Sequence, residues 1–408
     1  MFVLILLLFF SVNTFAATVR NIKVDEQDRI YIVVSPENYT KEVKERPVIV
    51  LFHPIGYSAM EFIEKCDIQD ICDRNDAFAV FPEALDEDDD EIITALSTLR
   101  SYGKLPAGVN DEYVWSAGVR IEIDDLKEMV GTFGSILINA QMPNSVAKGY
   151  VQLNEDKDDV KFINMMLDEM KSVYNISDDI YVAGASMGGA MAYKYAFSEN
   201  NKAKKVGVIH GFIGRNVDIS KPLNKPICIF NTQTDNVAPF EGGIFNNAIT
   251  DDLNVIAVNN KCTGADISEL PNTANDGITI TKLSYTCDSS KIVWFYMVDN
   301  ADHFDLLKSP ANDIDYMEEL EYFFFSLPTT SDTKDVNNPS NITLYPSPAT
   351  NYLYCQEEGE YEIRNLLGSI LLSGENKGSI NIAHLPCGEY IFTLQTETKY
   401  KRTIFIKK

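Results

Sequence analysis

Residues 180–193 read Ile-Tyr-Val-Ala-Gly-Ala-Ser-Met-Gly-Gly-Ala-Met-Ala-Tyr, which predicts a buried strand, a sharp turn and a helix. The apolar run at the start is typical of a strand, and the Ala- and Met-rich end is typical of a helix. Glycine stands two residues before and two residues after Ser186, where a larger side chain would collide with the neighbouring strand or helix. The stretch therefore predicts a serine whose hydroxyl is held clear of the backbone at the end of a strand.

Apolar strands and helices alternate on both sides of this turn, which indicates an α/β fold with a doubly wound, mostly parallel sheet. The predicted strands lie near residues 46–52, 77–82, 205–209, 226–230 and 291–298, with two antiparallel strands near 18–24 and 29–34. A helix with acidic residues at its start is predicted from residue 158, and an amphipathic helix over about 313–327 ends the domain. Strands buried on both faces fit this architecture because helices cover both sides of a parallel sheet.

The 408 residues divide into one large domain and a small module. Residues 18–327 form the predicted α/β domain, and 83–157 within it form an insertion that is too long for a bare loop and is predicted to build a wall of the pocket. Residues 328–340 are rich in Thr, Ser, Asp, Asn and Pro and are predicted to be a linker. Residues 341–408 carry short strands with turn signals, which predicts a small all-β sandwich.

Charge and terminal sequence limit the partners and the location. A net charge of −25 would repel phosphate backbones, so a nucleic-acid partner is not expected. Residues 1–17 have an apolar core followed by small residues, which predicts a signal peptide and export. No second long apolar run follows, so we expect no stable membrane span.

The cysteines are compatible with export, where disulfides are permitted. Seven cysteines leave at least one without a partner in the chain, and no Cys/His spacing is typical of a zinc site. Cys228 lies in an apolar run and is predicted to be a buried thiol, whereas the pairing of Cys66 and Cys72 is left open.

Serine needs a base to remove its proton and an acid to orient that base. A serine at the apex of a strand-turn-helix is typical of the α/β-hydrolase fold, in which the acid and then the histidine follow the serine along the chain. Of the four histidines, only His303 lies late in the domain, just past a predicted strand, and it is our predicted general base. Asp235 is the only carboxylate in the segment after the strand near 226–230, and it is the predicted acid.

The remaining site residues are predicted from their places near strand ends or, for Trp115, from its place within the insertion. The backbone N–H of Met187 at the helix start and that of Ile55 are the predicted oxyanion donors. We predict that four side chains line the pocket: His53, Tyr57, Trp115 and His210. For His210, a structural histidine is an equally good interpretation.

Several stretches resemble one family, the secreted polyhydroxybutyrate depolymerases and the feruloyl and acetylxylan esterases of carbohydrate esterase family one. They are Gly-Ala-Ser-Met-Gly-Gly-Ala-Met-Ala-Tyr at 184–193, Asp-Asp-Val-Lys-Phe-Ile at 158–163, Asp-Asn-Val-Ala-Pro-Phe-Glu-Gly-Gly at 235–243, and two cysteines before Val-Trp-Phe-Tyr at 293–296. The resemblance implies a disulfide between Cys262 and Cys287. Pro54 stands where the family usually has glycine, which changes the oxyanion turn.

The C-terminal module resembles the type A sorting domain of the type IX secretion system. The resemblance is carried by Leu-Tyr-Pro-Ser-Pro-Ala at 344–349, Tyr-Glu-Ile-Arg-Asn-Leu-Leu-Gly at 361–368, Leu-Pro-Cys-Gly-Glu-Tyr at 385–390 and a basic end. It implies contact with secretion machinery, passage across the outer membrane and removal of the module. Cys355 and Cys387 depart from the pattern and are predicted to pair, and a carbohydrate-binding module is the competing interpretation.

These observations predict a secreted serine esterase at the cell surface or outside the cell, acting on feruloyl or acetyl esters of plant polysaccharide without a cofactor or metal. Three alternatives stay open: a depolymerase of short polyesters, a serine peptidase of the same fold, and a non-catalytic polysaccharide-binding protein.

Overall fold

The structure is a computed structural model of the 408-residue chain. It describes residues 17–41, 44–105, 109–272, 274–287, 291–303, 313–326, 344–346, 349–355, 357–365, 370–396 and 400–408. The predicted signal peptide lies outside the described residues except for Ala17, and the predicted linker, 328–340, lies wholly outside them.

The large domain contains twelve strands and nine helices in its described part. The strands are β1 Ala17–Val24, β2 Gln27–Val34, β3 Arg46–Phe52, β4 Phe78–Pro82, β5 Arg120–Glu122, β6 Tyr150–Gln152, β7 Ile176–Ala185, β8 Ala203–Ile209, β9 Ile227–Thr232, β10 Gly264–Glu269, β11 Thr279–Thr286 and β12 Val293–Asp299. The helices are α1 Ala59–Ile63, α2 Ile68–Asn75, α3 Asp90–Ser101, α4 Ile123–Gln141, α5 Pro143–Lys148, α6 Asp159–Val173, α7 Met187–Phe197, α8 Ile249–Asn259 and α9 Tyr316–Ser326.

Ten of these strands form one sheet in the order β1-β2-β4-β3-β7-β8-β9-β12-β11-β10. The six central strands, β4 to β12 in this order, pair in parallel, and the two strands at each edge pair antiparallel. This confirms the predicted mostly parallel α/β sheet of an α/β-hydrolase fold and the predicted antiparallel pair near the N-terminus. The hairpin of β10 and β11 was not predicted.

Helices cover both faces of the sheet, as the apolar strands require. In β3, Val48, Val50 and Phe52 face one hydrophobic cluster, whereas the alternating residues Ile49 and Leu51 face the other. The first cluster also contains buried residues of α3, α6, α7 and α8, and the second contains those of α1, α2 and α9. Two layers of helices therefore enclose the parallel strands.

The insertion, residues 83–157, carries its own secondary structure. It contains α3, α4, α5 and the short antiparallel pair of β5 and β6, which α4 and α5 connect. Helix α4 is kinked at Gly131, where the backbone is not helical and φ is 70°. A buried ion pair ties the insertion to the sheet: Arg29 donates to Asp159 Oδ1 at 2.6 Å, and Asp159 Oδ2 accepts the backbone N–H of Ser116 at 2.7 Å.

The C-terminal module consists of two small antiparallel sheets. Its strands are β13 Leu344–Tyr345, β14 Tyr352–Cys355, β15 Gly359–Asn365, β16 Ile370–Asn376, β17 Ser379–Asn381, β18 Gly388–Gln395 and β19 Tyr400–Lys407. They pair in the orders β13-β14-β17 and β16-β15-β18-β19. Residues of both sheets, including Leu353, Ile380 and Phe392, share one hydrophobic cluster, as the predicted sandwich requires.

Two of the cysteines form a disulfide, and the other five are thiols, of which four are buried and one is exposed. Cys262 and Cys287 form a disulfide, as the family resemblance implied. The predicted pairing of Cys355 with Cys387 is wrong: the Cys355 thiol is buried and lies 3.6 Å from the carbonyl oxygen of Glu357, whereas Cys387 is exposed. Cys228 is a buried thiol, as predicted, and burial raises its pKa well above the usual range.

Within the described ranges, no helix combines the length and the apolar character that crossing a membrane requires.

Candidate active site

Ser186 lies between the end of β7 and the start of α7 with an unusual backbone. Its φ is 55° and its ψ is −121°, a conformation that few residues other than glycine adopt. The backbone N–H of Ser186 donates to the carbonyl of Ile209 at 2.9 Å, which fixes the turn against the neighbouring strand β8. The side chain makes no capping hydrogen bond to α7, so its hydroxyl is available for another partner.

The two flanking glycines are required by close backbone contacts. A Cβ at Gly184 would lie 2.1 Å from the carbonyl oxygen of Gly188. A Cβ at Gly188 would lie 2.0 Å from the carbonyl oxygen of Phe52, at the end of β3. The turn therefore packs backbone against backbone between β3 and α7, which is the contact that the sequence pattern predicted.

Ser186, Asp235 and His303 meet at one edge of the sheet. They follow β7, β9 and β12, and the carboxyl ends of these parallel strands lie along the same edge. His303 Nε2 lies 2.8 Å from Ser186 Oγ, and His303 Nδ1 lies 2.7 Å from Asp235 Oδ2. Asp235 and His303 are buried, and Ser186 is partly exposed. The serine hydroxyl is thus the member of the group that a substrate can reach.

Further hydrogen bonds fix the acid and the histidine loop. Asp235 Oδ1 accepts the backbone N–H groups of Val237 and Ala238, both at 2.8 Å, which leaves Oδ2 to face His303. The hydroxyls of Thr232 and Thr234 donate to the carbonyl of Ala301, two residues before His303. Sequence reasoning missed these threonines, although threonines three residues and one residue before the acid, where a strand ends, are a usable signal.

The two predicted oxyanion donors are backbone N–H groups that follow β7 and β3, which are neighbouring strands of the sheet. Met187 is the first residue of α7, and the first N–H groups of a helix have no partner within the helix. Ile55 lies in the turn after β3, and its N–H forms no hydrogen bond within the described part of the chain. Neighbouring bonds order this turn: the N–H of Gly56 donates to Glu112 and that of Tyr57 donates to Pro54.

His53 and Trp115 were predicted to line the pocket, and both predictions are wrong. His53 is fully buried, its Nδ1 lies 2.8 Å from the carbonyl oxygen of Pro54, and its Nε2 accepts the N–H of Ala84 at 3.0 Å. Burial lowers the pKa of His53 to about 4, so the neutral ring is preferred. Trp115 is also fully buried, packs against the His53 ring at 4.7 Å between centroids, and donates from Nε1 to the His53 carbonyl at 2.9 Å. Both side chains thus form hydrogen bonds with backbone carbonyls of the turn that contains Ile55.

The other two pocket candidates differ in exposure. Tyr57 lies at the end of the same turn and is partly exposed. Its role in lining the pocket stays a prediction. His210 is fully buried at the end of β8 with φ of 42°, and its ring centroid lies 6.0 Å from that of His303. Among the residues that the structure describes, neither ring nitrogen of His210 meets the geometric criteria for a hydrogen bond. Burial together with the nearby His303 lowers the pKa of His210 well below the usual range. His210 therefore contacts the site from inside the protein and not from the pocket.

One group of side chains has the spacing of metal ligands. One ligand atom each of His210, Asp235 and His303 lies within 4.8 Å of the others. Imidazole nitrogen and carboxylate oxygen suit a transition metal such as zinc. Two of the three groups are already joined by the Asp235–His303 hydrogen bond, so a metal bound there would compete with that bond.

Comparison with known proteins identifies the C-terminal module. Residues 343–408 match the family described as a secretion system C-terminal sorting domain, which agrees with the predicted sorting module at 341–408. No curated protein sequence matches the chain.

Several solved structures are similar at low identity. An acetyl xylan esterase from Aspergillus awamori is 10% identical, with 75% of this chain and 98% of that chain covered and a TM-score of 0.43. An S-formylglutathione hydrolase from Agrobacterium tumefaciens is 11% identical, with 76% and 95% covered and a TM-score of 0.42. A ferulic acid esterase is 14% identical, with 54% and 80% covered and a TM-score of 0.33. The description of the fold therefore depends on the chain's own topology.

Proposed function

We propose that the chain is a serine esterase that hydrolyses carboxylic esters through an acyl-enzyme. The observation that carries this proposal is the position of His303, whose ring lies 2.8 Å from Ser186 Oγ on one side and 2.7 Å from Asp235 Oδ2 on the other. A serine, a histidine and a buried carboxylate in this order activate the hydroxyl as a nucleophile. The strained backbone of Ser186 presents that hydroxyl to a substrate.

In the acylation step, Ser186 Oγ attacks the ester carbonyl carbon while His303 Nε2 takes the hydroxyl proton. Asp235 accepts a hydrogen bond from His303 Nδ1–H, so it holds the tautomer in which Nε2 is the acceptor and stabilises the imidazolium that forms. The tetrahedral oxyanion accepts hydrogen bonds from the N–H groups of Met187 and Ile55. The imidazolium then protonates the leaving alcohol as the C–O bond breaks.

Deacylation repeats the same steps with water as the nucleophile. His303 removes a proton from water, the hydroxide attacks the acyl carbon, and Ser186 leaves with the proton returned by His303.

The first experiment separates an enzyme from a binding protein. Hydrolysis of p-nitrophenyl acetate is measured for the wild type, for Ser186→Ala and for Ser101→Ala, a control at an exposed serine at the end of α3. We expect Ser186→Ala to lower kcat by about 10³-fold or more and Ser101→Ala to keep the wild-type rate. A fluorophosphonate probe should add its mass at Ser186 and at no other serine. Equal rates for the wild type and Ser186→Ala would refute the esterase proposal.

The proposed substrate is a feruloyl or acetyl ester on plant polysaccharide, on the strength of the sequence resemblance. Methyl ferulate, acetylated xylan, polyhydroxybutyrate and a peptide p-nitroanilide distinguish this substrate class from a polyester and from a peptide bond. We expect the highest kcat/KM on methyl ferulate or acetylated xylan. A higher value on polyhydroxybutyrate or on the anilide would replace the proposed substrate while leaving the serine mechanism in place.

We also propose that the C-terminal module directs the chain through the type IX secretion system to the cell surface or beyond it. The family match over residues 343–408 supports this proposal. Deletion of 341–408 should leave the protein in the periplasm, as measured by fractionation and by ester hydrolysis in each fraction. Unchanged export of the shortened chain would contradict the proposal.

A further inference from the structure

The segment that leaves β3 and carries Ile55 starts against the first turn of the serine helix. Gly188 is the second residue of α7 and follows Ser186 by two positions. A Cβ at Gly188 would lie 2.0 Å from the carbonyl oxygen of Phe52 and 2.6 Å from that of His53. The backbone just before Ile55 is therefore in contact with the backbone just after the serine.

The buried ring of His53 donates a hydrogen bond to the carbonyl of the next residue. Its Nε2 accepts the N–H of Ala84 at 3.0 Å, so the proton of the neutral ring is on Nδ1. Nδ1 lies 2.8 Å from the carbonyl oxygen of Pro54 and therefore donates to it. The other neutral tautomer is excluded, because a proton on Nε2 would face the N–H of Ala84.

This hydrogen bond sets the direction of the Ile55 N–H. The carbonyl of Pro54 and the N–H of Ile55 belong to one planar peptide unit, in which they point in opposite directions. The same carbonyl accepts the N–H of Tyr57 at 3.3 Å, and Gly56 supplies the positive φ, 76°, that a turn of this kind requires. The peptide unit cannot rotate without breaking both bonds, so the Ile55 N–H keeps one direction.

Trp115 of the insertion holds the preceding peptide unit. Its Nε1–H donates to the carbonyl of His53 at 2.9 Å, and its ring packs on the His53 ring at 4.7 Å between centroids. The ring of Pro54 restricts the φ torsion between the two peptide units. Two successive units are thus held through their carbonyls, and the backbone between them has little freedom to move.

The insertion segment that contains Trp115 is itself tied to the serine helix and to the sheet. The ammonium of Lys194, in α7, donates to the carbonyl of Ser116. The N–H of Ser116 donates to the buried carboxylate of Asp159 at 2.7 Å, and Asp159 is paired with Arg29 of β2. The insertion therefore joins the helix that begins with one predicted oxyanion donor to the turn that contains the other.

We propose that His53 and Trp115 are positioning residues for the oxyanion contact of Ile55; this inference rests on the proposed esterase function. They fix the Pro54–Ile55 peptide unit before a substrate arrives. A donor that is already oriented stabilises a developing oxyanion without reorganisation at the moment of reaction. The insertion thus contributes to the reaction through Trp115, in addition to its predicted role as a pocket wall.

Two substitutions separate the two hydrogen bonds of the His53 ring. In His53→Asn the amide nitrogen takes the place of Nδ1 and can donate to Pro54. In His53→Gln the amide oxygen reaches the place of Nε2 and can accept from Ala84, but the donor to Pro54 is lost. We expect kcat/KM for p-nitrophenyl acetate to fall by about 10²-fold in His53→Gln, as for the loss of an oxyanion donor, and by less than about tenfold in His53→Asn. His384→Gln, at an exposed histidine of the C-terminal module, is the control and should keep the wild-type value.

Inhibition by trifluoroacetone distinguishes this role from damage to the fold. Ser186 Oγ forms a bond to the ketone carbon, its proton passes to His303 Nε2, and the electron pair of the C=O π bond stays on the ketone oxygen as a negative charge. That charge is stabilised by the Ile55 N–H, so the inhibition constant should rise in each variant by the factor by which kcat/KM falls. A smaller amount of folded enzyme would lower the rate and leave the inhibition constant unchanged.

The second positioning residue is tested by Trp115→Phe, which keeps a ring beside His53 and removes the donor to its carbonyl. We expect the inhibition constant to rise about tenfold, as the loss of one hydrogen bond implies. Trp294→Phe, at the only other tryptophan of the chain, should leave it unchanged. An unchanged inhibition constant in His53→Gln or in Trp115→Phe, or equal losses in His53→Asn and His53→Gln, would overturn the proposal.

The tautomer of His53 can be measured in the wild type, which covers variants that do not fold. His53 is the only histidine followed by proline, so labelling of that pair identifies its ring in ¹⁵N NMR. We expect a proton on Nδ1 and none on Nε2 at pH 7, and the reverse would overturn the proposal. If the wild type neither hydrolyses p-nitrophenyl acetate nor binds trifluoroacetone, the esterase proposal fails, and the tautomer still decides whether His53 holds the peptide unit. If the wild type is active and the variants match it, only the present inference fails.

Discussion

Replacing Asp235 with asparagine should separate the electrostatic role of the acid from the packing of its loop. Asp235 Oδ1 accepts two backbone N–H groups at 2.8 Å, and Oδ2 faces His303 Nδ1 at 2.7 Å. In the variant Asp235→Asn, the amide oxygen must take the Oδ1 position, because an NH₂ group there would face two N–H donors. The NH₂ group then points at His303 Nδ1 and donates to it. His303 is forced into the tautomer with the proton on Nε2, which cannot accept the proton of Ser186.

The expected loss follows from this wrong tautomer. We expect kcat for p-nitrophenyl acetate at pH 8 to fall by about 10⁴-fold, which corresponds to about 5 kcal/mol of lost transition-state stabilisation. The two hydrogen bonds to Oδ1 are kept, so the free energy of unfolding should change by only about 1 kcal/mol in guanidinium titrations. Asp302→Asn is the control, since Asp302 is an exposed carboxylate next to His303 and should not affect the tautomer. A rate for Asp235→Asn within tenfold of the wild type would refute the assigned role of Asp235.

Three further predictions concern the turn, the disulfide and pH. Gly188→Ala should destabilise the fold by about 3 kcal/mol or more in guanidinium titrations, because its Cβ would lie 2.0 Å from the Phe52 carbonyl oxygen, whereas Gly264→Ala, with no atom within 4 Å, should be neutral. Cys287→Ser opens a 25-residue disulfide loop and should cost about 3.5 kcal/mol in the chain-entropy model; a change below about 1 kcal/mol would contradict that account. The pKa of His53 falls to about 4 in the folded state, so between pH 4 and about pH 6.5 the unfolded state binds more protons than the folded state. The contribution of the neutral His53 ring to the free energy of unfolding is therefore complete above pH 6.5 and falls by about 3 kcal/mol as the pH drops towards 4. His53→Asn should remove this part of the pH dependence of unfolding, and an unchanged dependence would exclude it.

The central sheet and the serine turn could be predicted because their signals are local. The apolar strands and the two glycines around Ser186 fix their own conformation within a few residues. The acid and histidine could be predicted from their order along the chain, although the sequence could not give the distances that join them. The disulfide Cys262–Cys287 came from the family resemblance and not from spacing.

Other features depend on contacts that no local pattern encodes. Strand β10 is exposed along its whole length, so its sequence lacks the alternation that usually marks a strand. His53 ends a central strand, as a pocket residue would, but Trp115 covers its ring from the insertion and buries it. At Gly131 the backbone is not helical, with φ of 70° and ψ of −172°, so α4 consists of two helical segments that meet at a kink, and the second segment lies beyond the glycine that ends the first.

The two threonine hydroxyls that share the Ala301 carbonyl couple the acid loop to the histidine loop. Because both loops are anchored at one atom, a displacement of the acid carries the imidazole with it, and the separation between carboxylate and ring is conserved. Within the described residues, the ring and the serine are joined by the 2.8 Å contact between His303 Nε2 and Ser186 Oγ. Substitutions in the outer parts of these loops should therefore change the distance between Ser186 Oγ and His303 Nε2 while leaving the hydrogen bond between Asp235 and His303 intact. A change in that one distance would alter the rate of proton transfer from the serine.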